Sequence, residues 1–233
     1  MLQACPPGHA VRTAFRPRHV SNPSQPAAPA PTSGVGDAVR RRGAYDRPMD
    51  HGSNPWRQLA RRTAYRNPWL TVWEDDVIRP DGQLGIYGVV HFVHRAVGVV
   101  PLDEAGRVLL VGQWRYTLGA WSWEIPEGGA RPEEDPLEAA RRELAEETGY
   151  TARSWGELVR AHLSNSVTDE DSIVWLARGL EPGVPSPEGT EQIELRWVDF
   201  DEALAMCHDG RITDALTILG MQRLALDGRR TAR

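Results

Sequence analysis

Residues 128–150 read GGARPEEDPLEAARRELAEETGY, and this stretch constrains the chain more than any other. Reduced to its fixed points it is Gly128, five residues, Glu134, seven residues, then Arg142-Glu143-Leu144-Ala145-Glu146-Glu147-Thr148-Gly149-Tyr150. The pattern predicts a loop running into a helix. Asp135 suits the N-cap, Pro136 suits the first helical position, and Glu138 stands where a capping box needs an acid. Gly149 can adopt the left-handed conformation that ends a helix. Leu137, Ala140 and Leu144 recur at helical spacing as a narrow apolar stripe. Glu143, Glu146 and Glu147 are three and four residues apart, so they share one face.

Three like charges on one face repel unless something offsets them. Arg141, Arg142 and water would make it an ordinary solvated, salt-bridged face. A divalent metal is the other offset, since carboxylate oxygens suit Mg²⁺ or Mn²⁺, and Mg²⁺ is typically held by carboxylates together with substrate phosphates.

The spacing resembles the Nudix box, G-x5-E-x7-R-E-U-x-E-E-x-G-U with U a bulky apolar residue, at every fixed position; only Tyr150, aromatic where U is usually aliphatic, departs mildly. The box covers about a tenth of the chain. A weaker similarity to the ADP-ribose pyrophosphatase-like Nudix hydrolases runs from about Tyr65 to Leu226. The resemblance implies an α/β fold, the Nudix α/β/α sandwich around a mixed sheet, with the box loop and helix on one side. It also implies Mg²⁺ or Mn²⁺ as cofactor. Glu143 and Glu147 are then metal ligands, with Glu146 close behind. The residue before the box glycine, Glu127, contributes its backbone carbonyl to the metal. Gly128, Glu134, Arg142 and Gly149 are the remaining motif positions. Arg142 is expected to orient a box glutamate by a charge-assisted hydrogen bond, and Gly128 to supply unusual backbone geometry.

The 233 residues are 40% hydrophobic and 25% charged, enough for a sizeable core. A net charge of -5 supplies no electrostatic footprint for nucleic acid, and no apolar run approaches membrane-spanning length. Cys5 and Cys207 are far apart, which implies no disulfide framework and fits a reducing, cytoplasmic setting. Residues 1–50 contain SNPSQPAAPAPTSG, lack apolar periodicity and are rich in Arg, so they read as a disordered tail. The same Arg-rich composition occurs in organelle transit peptides, but an amphipathic pattern is missing.

Residues 51–94 read as an N-terminal β-hairpin region. Trp69 to Ile78 and Leu84 to Val93 are rich in β-branched and aromatic residues, and Arg79-Pro80-Asp81-Gly82 joins them as a turn. In the resembled group such strands pair two subunits, which implies a homodimer. Trp69 and Trp73, placed on one strand face, can cover a partner, stack a base or pack the sheet. The Nudix domain is placed at 95–227, followed by a short tail at 228–233. Within it Val97 to Leu102 and Arg107 to Gly112 read as a hairpin around Asp103-Glu104-Ala105-Gly106.

Gln113-Trp114-Arg115-Tyr116 is similar to the Q-x-R-Y segment of sugar-nucleotide Nudix enzymes, which implies that Arg115 reaches a substrate phosphate; a surface Arg is the alternative. Trp123-Glu124-Ile125-Pro126-Glu127-Gly128 looks like their W-E-x-P-x-G segment, which implies Glu124 near substrate, with a local salt bridge as the alternative. Past the box, Leu158 to Leu163 and Ser172 to Ala177 read as strands. The loop between them contains Ser164-Asn165-Ser166, where ADP-ribose pyrophosphatases carry S-P-G. That departure bears on ADP-ribose itself, not on pyrophosphate hydrolysis. Asp169 and Glu170 follow, as an outer metal shell or a polar loop. Residues 180–192 form a long loop of the kind that often carries function. Relatives draw a general base or a further metal contact from it, which implies Glu191 first and Glu188 second. Asp201 and Thr213 are expected to cap two final helices.

The reading is a metal-dependent hydrolase that splits the pyrophosphate of a nucleoside diphosphate sugar into a nucleoside monophosphate and a sugar phosphate. The rivals are a non-hydrolytic nucleotide-sugar sensor of Nudix descent and a Nudix hydrolase acting on dinucleoside polyphosphates or other nucleotides. The sensor is disfavoured by an intact box, and an isomerase of this family by the absence of a cysteine near the box.

Overall fold

The β pattern begins earlier than the sequence indicates. β1 (Arg57–Arg66), β2 (Leu70–Ile78) and β3 (Leu84–Phe92) form a three-stranded antiparallel sheet in that order. The expected β2–β3 hairpin is present, with Leu70 opposite Phe92 and Ile78 opposite Leu84. Its turn closes through Gly82 N–H to Arg79 O at 2.9 Å, with Gly82 at φ 80°. β1 is an addition. Every residue on it is exposed, so it shows no apolar alternation. Charge holds it instead: Arg61 lies opposite Asp75 and Arg62 opposite Glu74. Arg61 grips Asp75 with two 2.7 Å hydrogen bonds and lies 4.1 Å from the centre of the Trp73 ring.

The computed structural model describes residues 52–186 and 192–228. The tail expected over residues 1–50 therefore lies outside the described residues, as do residues 229–233 of the C-terminal tail. The elements belong to one compact unit beginning at Asn54.

Residues 95–228 depart from one expectation about strand pairing. β4 (Arg95–Pro101) and β5 (Arg107–Arg115) are joined by the expected tight turn, with Asp103 N–H to Arg107 O at 3.0 Å, but they enter different sheets. β4 is buried along Val97–Pro101 and takes two neighbours, β7 (Glu127–Ala130) antiparallel and β9 (Asp171–Pro182) parallel. β8 (Tyr150–His162) completes a mixed sheet of order β7-β4-β9-β8. β5 pairs instead with β6 (Ala120–Glu124) and β10 (Glu194–Asp199). β8 and β9 run longer than expected and pair from Tyr150–Pro182 to His162–Asp171.

Side-chain alternation along β4 builds two cores. Val97 and Val99 join Ala139, Ala140 and Leu144 of α1 (Pro136–Thr148). Val100 joins Leu216, Met221 and Leu224 of α3 (Ala215–Leu226), with Phe200 and Met206 of α2 (Phe200–Asp209) in the same cluster. The result is the expected α/β/α sandwich, with the mixed sheet between α1 and α3. Two caps shift. Asp199 rather than Asp201 stands before α2, and Asp214 rather than Thr213 caps α3, accepting from Thr217 N–H at 2.7 Å.

Residues 164–170 couple the small sheet to the sandwich. Val90 N–H donates to Val167 O at 2.8 Å, and the Tyr87 hydroxyl to Ser166 O at 2.7 Å. Asp169 pairs with His91 Nδ1 at 2.6 Å. This contact makes Asp169 a latch onto β3. Among the described residues no helix is long and apolar enough to cross a membrane.

Leu144 is fully buried between α1 and the sheet. Leu144→Ala is expected to cost ~2–5 kcal/mol in urea unfolding, the usual range for a core cavity. A loss below about 1 kcal/mol would show that α1 does not carry that core.

Candidate active site

Helix α1 forms where its caps allow. The Asp135 carboxylate accepts from Leu137 N–H at 2.8 Å and Glu138 N–H at 3.4 Å, with Pro136 in the first turn. Glu138 does not close a capping box; Arg141 takes its carboxylate at 2.6 Å. Gly149 ends the helix at φ 75°, and its N–H donates to Ala145 O at 2.9 Å. A side chain at Gly149 would also strike the backbone of Val184 and Pro185, so the segment after β9 passes against the end of α1.

Arg142 is the hub of the acidic face. Its guanidinium holds Glu134 through two bonds of 3.0 and 3.1 Å, Glu143 at 2.7 Å, Glu146 at 3.1 Å and the Gly129 carbonyl at 3.1 Å. Glu134, on the loop before the helix, thus anchors the guanidinium that orders two box glutamates. The hydrogen bond from Arg142, with the Arg142 and Arg131 charges, holds the Glu134 carboxyl below the ordinary range despite some burial.

Gly128 has a different reason for being glycine than the sequence suggests. It is not among the glycines at positive φ; it sits in β7 opposite Val97. The need is space. A Cβ there would fall on the carboxylate carbon and both oxygens of Glu143. That carboxylate also accepts from Gly129 N–H at 3.2 Å. Glu143 thus lies flat against β7, and burial pushes its carboxyl above the ordinary value in spite of Arg142.

Glu147 is buried at 4% exposure, and its Oε2 accepts from Glu127 N–H at 3.1 Å. Glu143 and Glu147 therefore both contact the backbone of β7. Glu146, on the same helical face, is more open.

A second constellation adjoins the first. Arg115, at the end of β5, donates to both oxygens of Glu124, at 2.9 Å each from Nε, and to Glu127 at 3.0 Å from Nη2. Glu127 thus has two functions available, its backbone toward α1 and its carboxylate toward Arg115. Glu124, Glu127 and Asp214 bring carboxylate oxygens within 4.8 Å of one another. Burial drives the Glu127 carboxyl well up, and the Asp214 and Glu124 charges add to it. Burial also opposes ionisation of Glu124, but the Arg115 hydrogen bond, with Glu127 and the Arg115 charge, holds Glu124 below the ordinary value. The sequence alone assigns Asp214 no role in the site. No motif marks it, and α3 brings it to the site from a distance of many residues.

Other candidates lie on or beside the small sheet, or beyond β9. Trp69 lies just before β2, partly exposed, with its carbonyl accepting from Val93 N–H at 2.9 Å. Trp73 is covered by Arg61 and by His91, stacked at 4.7 Å. A hollow of about 310 Å³ on the small sheet is lined by Asn54, Trp56, Gln58, Asp75, Val77 and Tyr87, none of them a box residue. Glu188 and Glu191 lie outside the described residues. The approach to them is visible: Ser186 N–H donates to the carbonyl of Glu146 at 2.9 Å, which ties this loop to the carboxylate helix.

The donor set suits a hard divalent cation. Glu143, Glu146 and Glu147 supply oxygen donors from one helical face, and two of them are largely removed from water, but among the described residues the three acids whose donor atoms already lie within 4.8 Å of one another are Glu124, Glu127 and Asp214. Buried carboxylates of this kind are paired or coordinate metal.

The NUDIX domain profile matches residues 93–217, more than half of the chain. This chain belongs to the Nudix family. A second profile, the nucleoside diphosphate sugar hydrolase N-terminal domain, matches residues 56–90, which span β1 to β3. Among curated Nudix-related proteins, the chain is 33% identical to a CMP-5'-(N-acetyl-N-hydroxy-3-aminopropyl)phosphonate hydrolase of Streptomyces rubellomurinus, over 71% of this chain and 80% of that one. It is 32% identical to an ADP-ribose pyrophosphatase of Mycobacterium tuberculosis, over 70% of this chain and 80% of that one. A crystal structure described as an ADP compounds hydrolase shares the fold, with a TM-score of 0.68 and 21% identity, covering 76% of this chain and 97% of that one.

Two outcomes follow from this geometry. Gly128→Ala is expected to displace Glu143 and weaken Mn²⁺ binding about 10–100-fold in an electron paramagnetic resonance titration, the range typical when a ligand's support is lost; unchanged affinity would show that Glu143 does not hold metal where it now lies. Metal also requires the ionised Glu143. Because burial raises its carboxyl above the ordinary 4.5, Mn²⁺ affinity should begin to fall at a pH above 4.5 as the solution is acidified. In the metal-free protein the sign reverses, since ionising a raised carboxyl costs the folded state, and that cost is relieved as pH falls through the same window. Mn²⁺ affinity that stays constant as the pH is lowered to 4.5 contradicts the assignment.

Proposed function

We propose that this Nudix-family chain is a Mg²⁺- or Mn²⁺-dependent hydrolase of the pyrophosphate bond in nucleoside diphosphate sugars, releasing a nucleoside monophosphate and a sugar phosphate. One observation carries the reading. The Arg142 hub and the glycine at 128 set the Glu143 carboxylate against β7, where Glu147 also reaches the backbone. The similarity to an ADP-ribose pyrophosphatase and the nucleoside diphosphate sugar profile over residues 56–90 support the substrate class.

Glu143, Glu146 and Glu147 would hold the metal, and the Glu127 backbone carbonyl is proposed as a further ligand. A divalent metal supplies charge neutralisation at the phosphates and lowers the pKa of water. The chain's own residues do the rest. Arg142 keeps Glu143 and Glu146 oriented and takes up their mutual repulsion. Arg115, about a third exposed, brings positive charge to the site's edge while Glu124 holds its orientation. Glu191, with Glu188 second, is proposed as the base that takes the proton of the attacking water. Trp69 is proposed to stack on the nucleobase.

The protein is further proposed to act in the cytoplasm as a homodimer. Leu59, Tyr65, Leu84 and Ile86 are exposed on the small sheet, and β1 is a long edge strand, the kind of surface that pairs with another chain. The nucleotide anhydride is common to the substrates named for both curated relatives, so the distal group is the open variable.

The test is release of phosphate monoester from ADP-ribose, ADP-glucose, GDP-mannose and UDP-glucose with Mg²⁺ or Mn²⁺, beside Glu147→Gln. Turnover of one or two substrates is expected, abolished by a chelator and lowered about a thousandfold in the variant, which corresponds to ~4 kcal/mol of barrier. The variant should unfold at the wild-type temperature. A near wild-type rate in Glu147→Gln removes the metal assignment; tight binding with no turnover of any substrate favours a sensor.

A further inference from the structure

We propose that Thr217, together with Asp214, is a positioning pair through which helix α3 sets the active-site turn at residues 124–128. The inference rests on the metal-dependent reading above.

Thr217 is fully buried at 0% exposure. Its hydroxyl accepts from Ile125 N–H at 2.9 Å and donates to Asp214 Oδ2 at 2.8 Å. A hydroxyl has one proton, so donating to Asp214 leaves its lone pairs for Ile125 and fixes its rotor. Asp214 also accepts Thr217 N–H at 2.7 Å, the ordinary bond of a helix cap. The cap alone needs only that backbone bond. The side-chain link to Ile125 goes beyond capping and joins α3 to the turn.

The turn runs between two strands, with Ile125 buried in the core. Pro126 has no N–H to offer. Its carbonyl accepts from Val99 N–H at 2.9 Å, which pins the turn to β4. Thr217 supplies the second pin, from α3 on the opposite face of the sheet from α1. Ile125 lies between Glu124, which holds Arg115, and Glu127, whose N–H meets Glu147. One residue further on, Gly128 lies so close to the Glu143 carboxylate that not even a methyl fits. There is no slack in that contact, so a small displacement of the turn passes directly to Glu143 and Glu147. Asp214 bears on the same point from the other side, with its carboxylate within 4.8 Å of those of Glu124 and Glu127.

Thr217→Val keeps the shape and deletes the hydroxyl; Thr217→Ser keeps the hydroxyl and deletes the methyl. The readouts are Mn²⁺ affinity by electron paramagnetic resonance, and kcat and KM on whichever nucleotide sugar the wild type turns over. In Thr217→Val, Mn²⁺ affinity and kcat should each fall about 10–100-fold, the scale seen when groups supporting a metal site are removed, with KM changed less than about threefold. Thr217→Ser should recover both to within about threefold of wild type. Wild-type affinity and kcat in Thr217→Val overturn the proposal, as does equal impairment in Thr217→Ser, which would assign the effect to packing. If Thr217→Val does not fold, Asp214→Ala is the second arm: it frees the hydroxyl rotor, and an unchanged Mn²⁺ affinity there overturns the proposal. A wild type that binds Mn²⁺ but hydrolyses no nucleotide sugar refutes the functional reading alone, because the affinity comparison still judges the positioning pair. A wild type that binds no Mn²⁺ overturns both.

Discussion

The architecture of the site depends on one close approach, the Glu143 carboxylate lying against the bare Cα of Gly128. It requires a residue without a side chain in β7 and a carboxylate that tolerates partial removal from water. It also requires a counter-charge to hold that carboxylate there. Arg142 provides the counter-charge while gripping Glu134, Glu146 and the Gly129 carbonyl. Loop, strand and helix therefore meet at a single guanidinium. The negative charge is not confined to the solvent side of the helix: Glu147, three residues from Leu144, is buried beside the apolar stripe, whereas Glu146 is more open.

Around this contact the remaining elements act as supports. The Val99 and Thr217 bonds hold the turn between β6 and β7 from two different elements, so that Glu124 and Glu127 diverge from it in defined directions. The loop after β9 is drawn onto the end of α1 at Gly149 and Glu146. On the far side, the loop at 164–170 is bound to β3 through Val90, Tyr87 and the His91–Asp169 pair. The small sheet is thus joined to the sandwich by backbone bonds as well as by chain connectivity.

Several features were legible in the sequence because their causes are local. The caps and stripe of α1, the turn at 79–82 and the grouping of three glutamates on one face depend on neighbours within a few residues. The box spacing itself led to the family. Others were not legible. β1 reads as a polar, Arg-rich segment with no period of two, since the groups that make it a strand are the acids of β2 opposite it. The β4–β5 turn was recognisable, but not that its strands part, because the partner of β4 is β9, more than seventy residues away.

The sequence by itself determined the acidic helix, its termini, the family and the α/β class, since each follows from residue type and short spacing. Tertiary structure alone decided why position 128 must be glycine, which groups Arg115 holds, and that Asp214 and Thr217 belong to the site. These are contacts between distant segments, and a chain records them only as isolated residues until the sheet and α3 bring them within hydrogen-bonding distance.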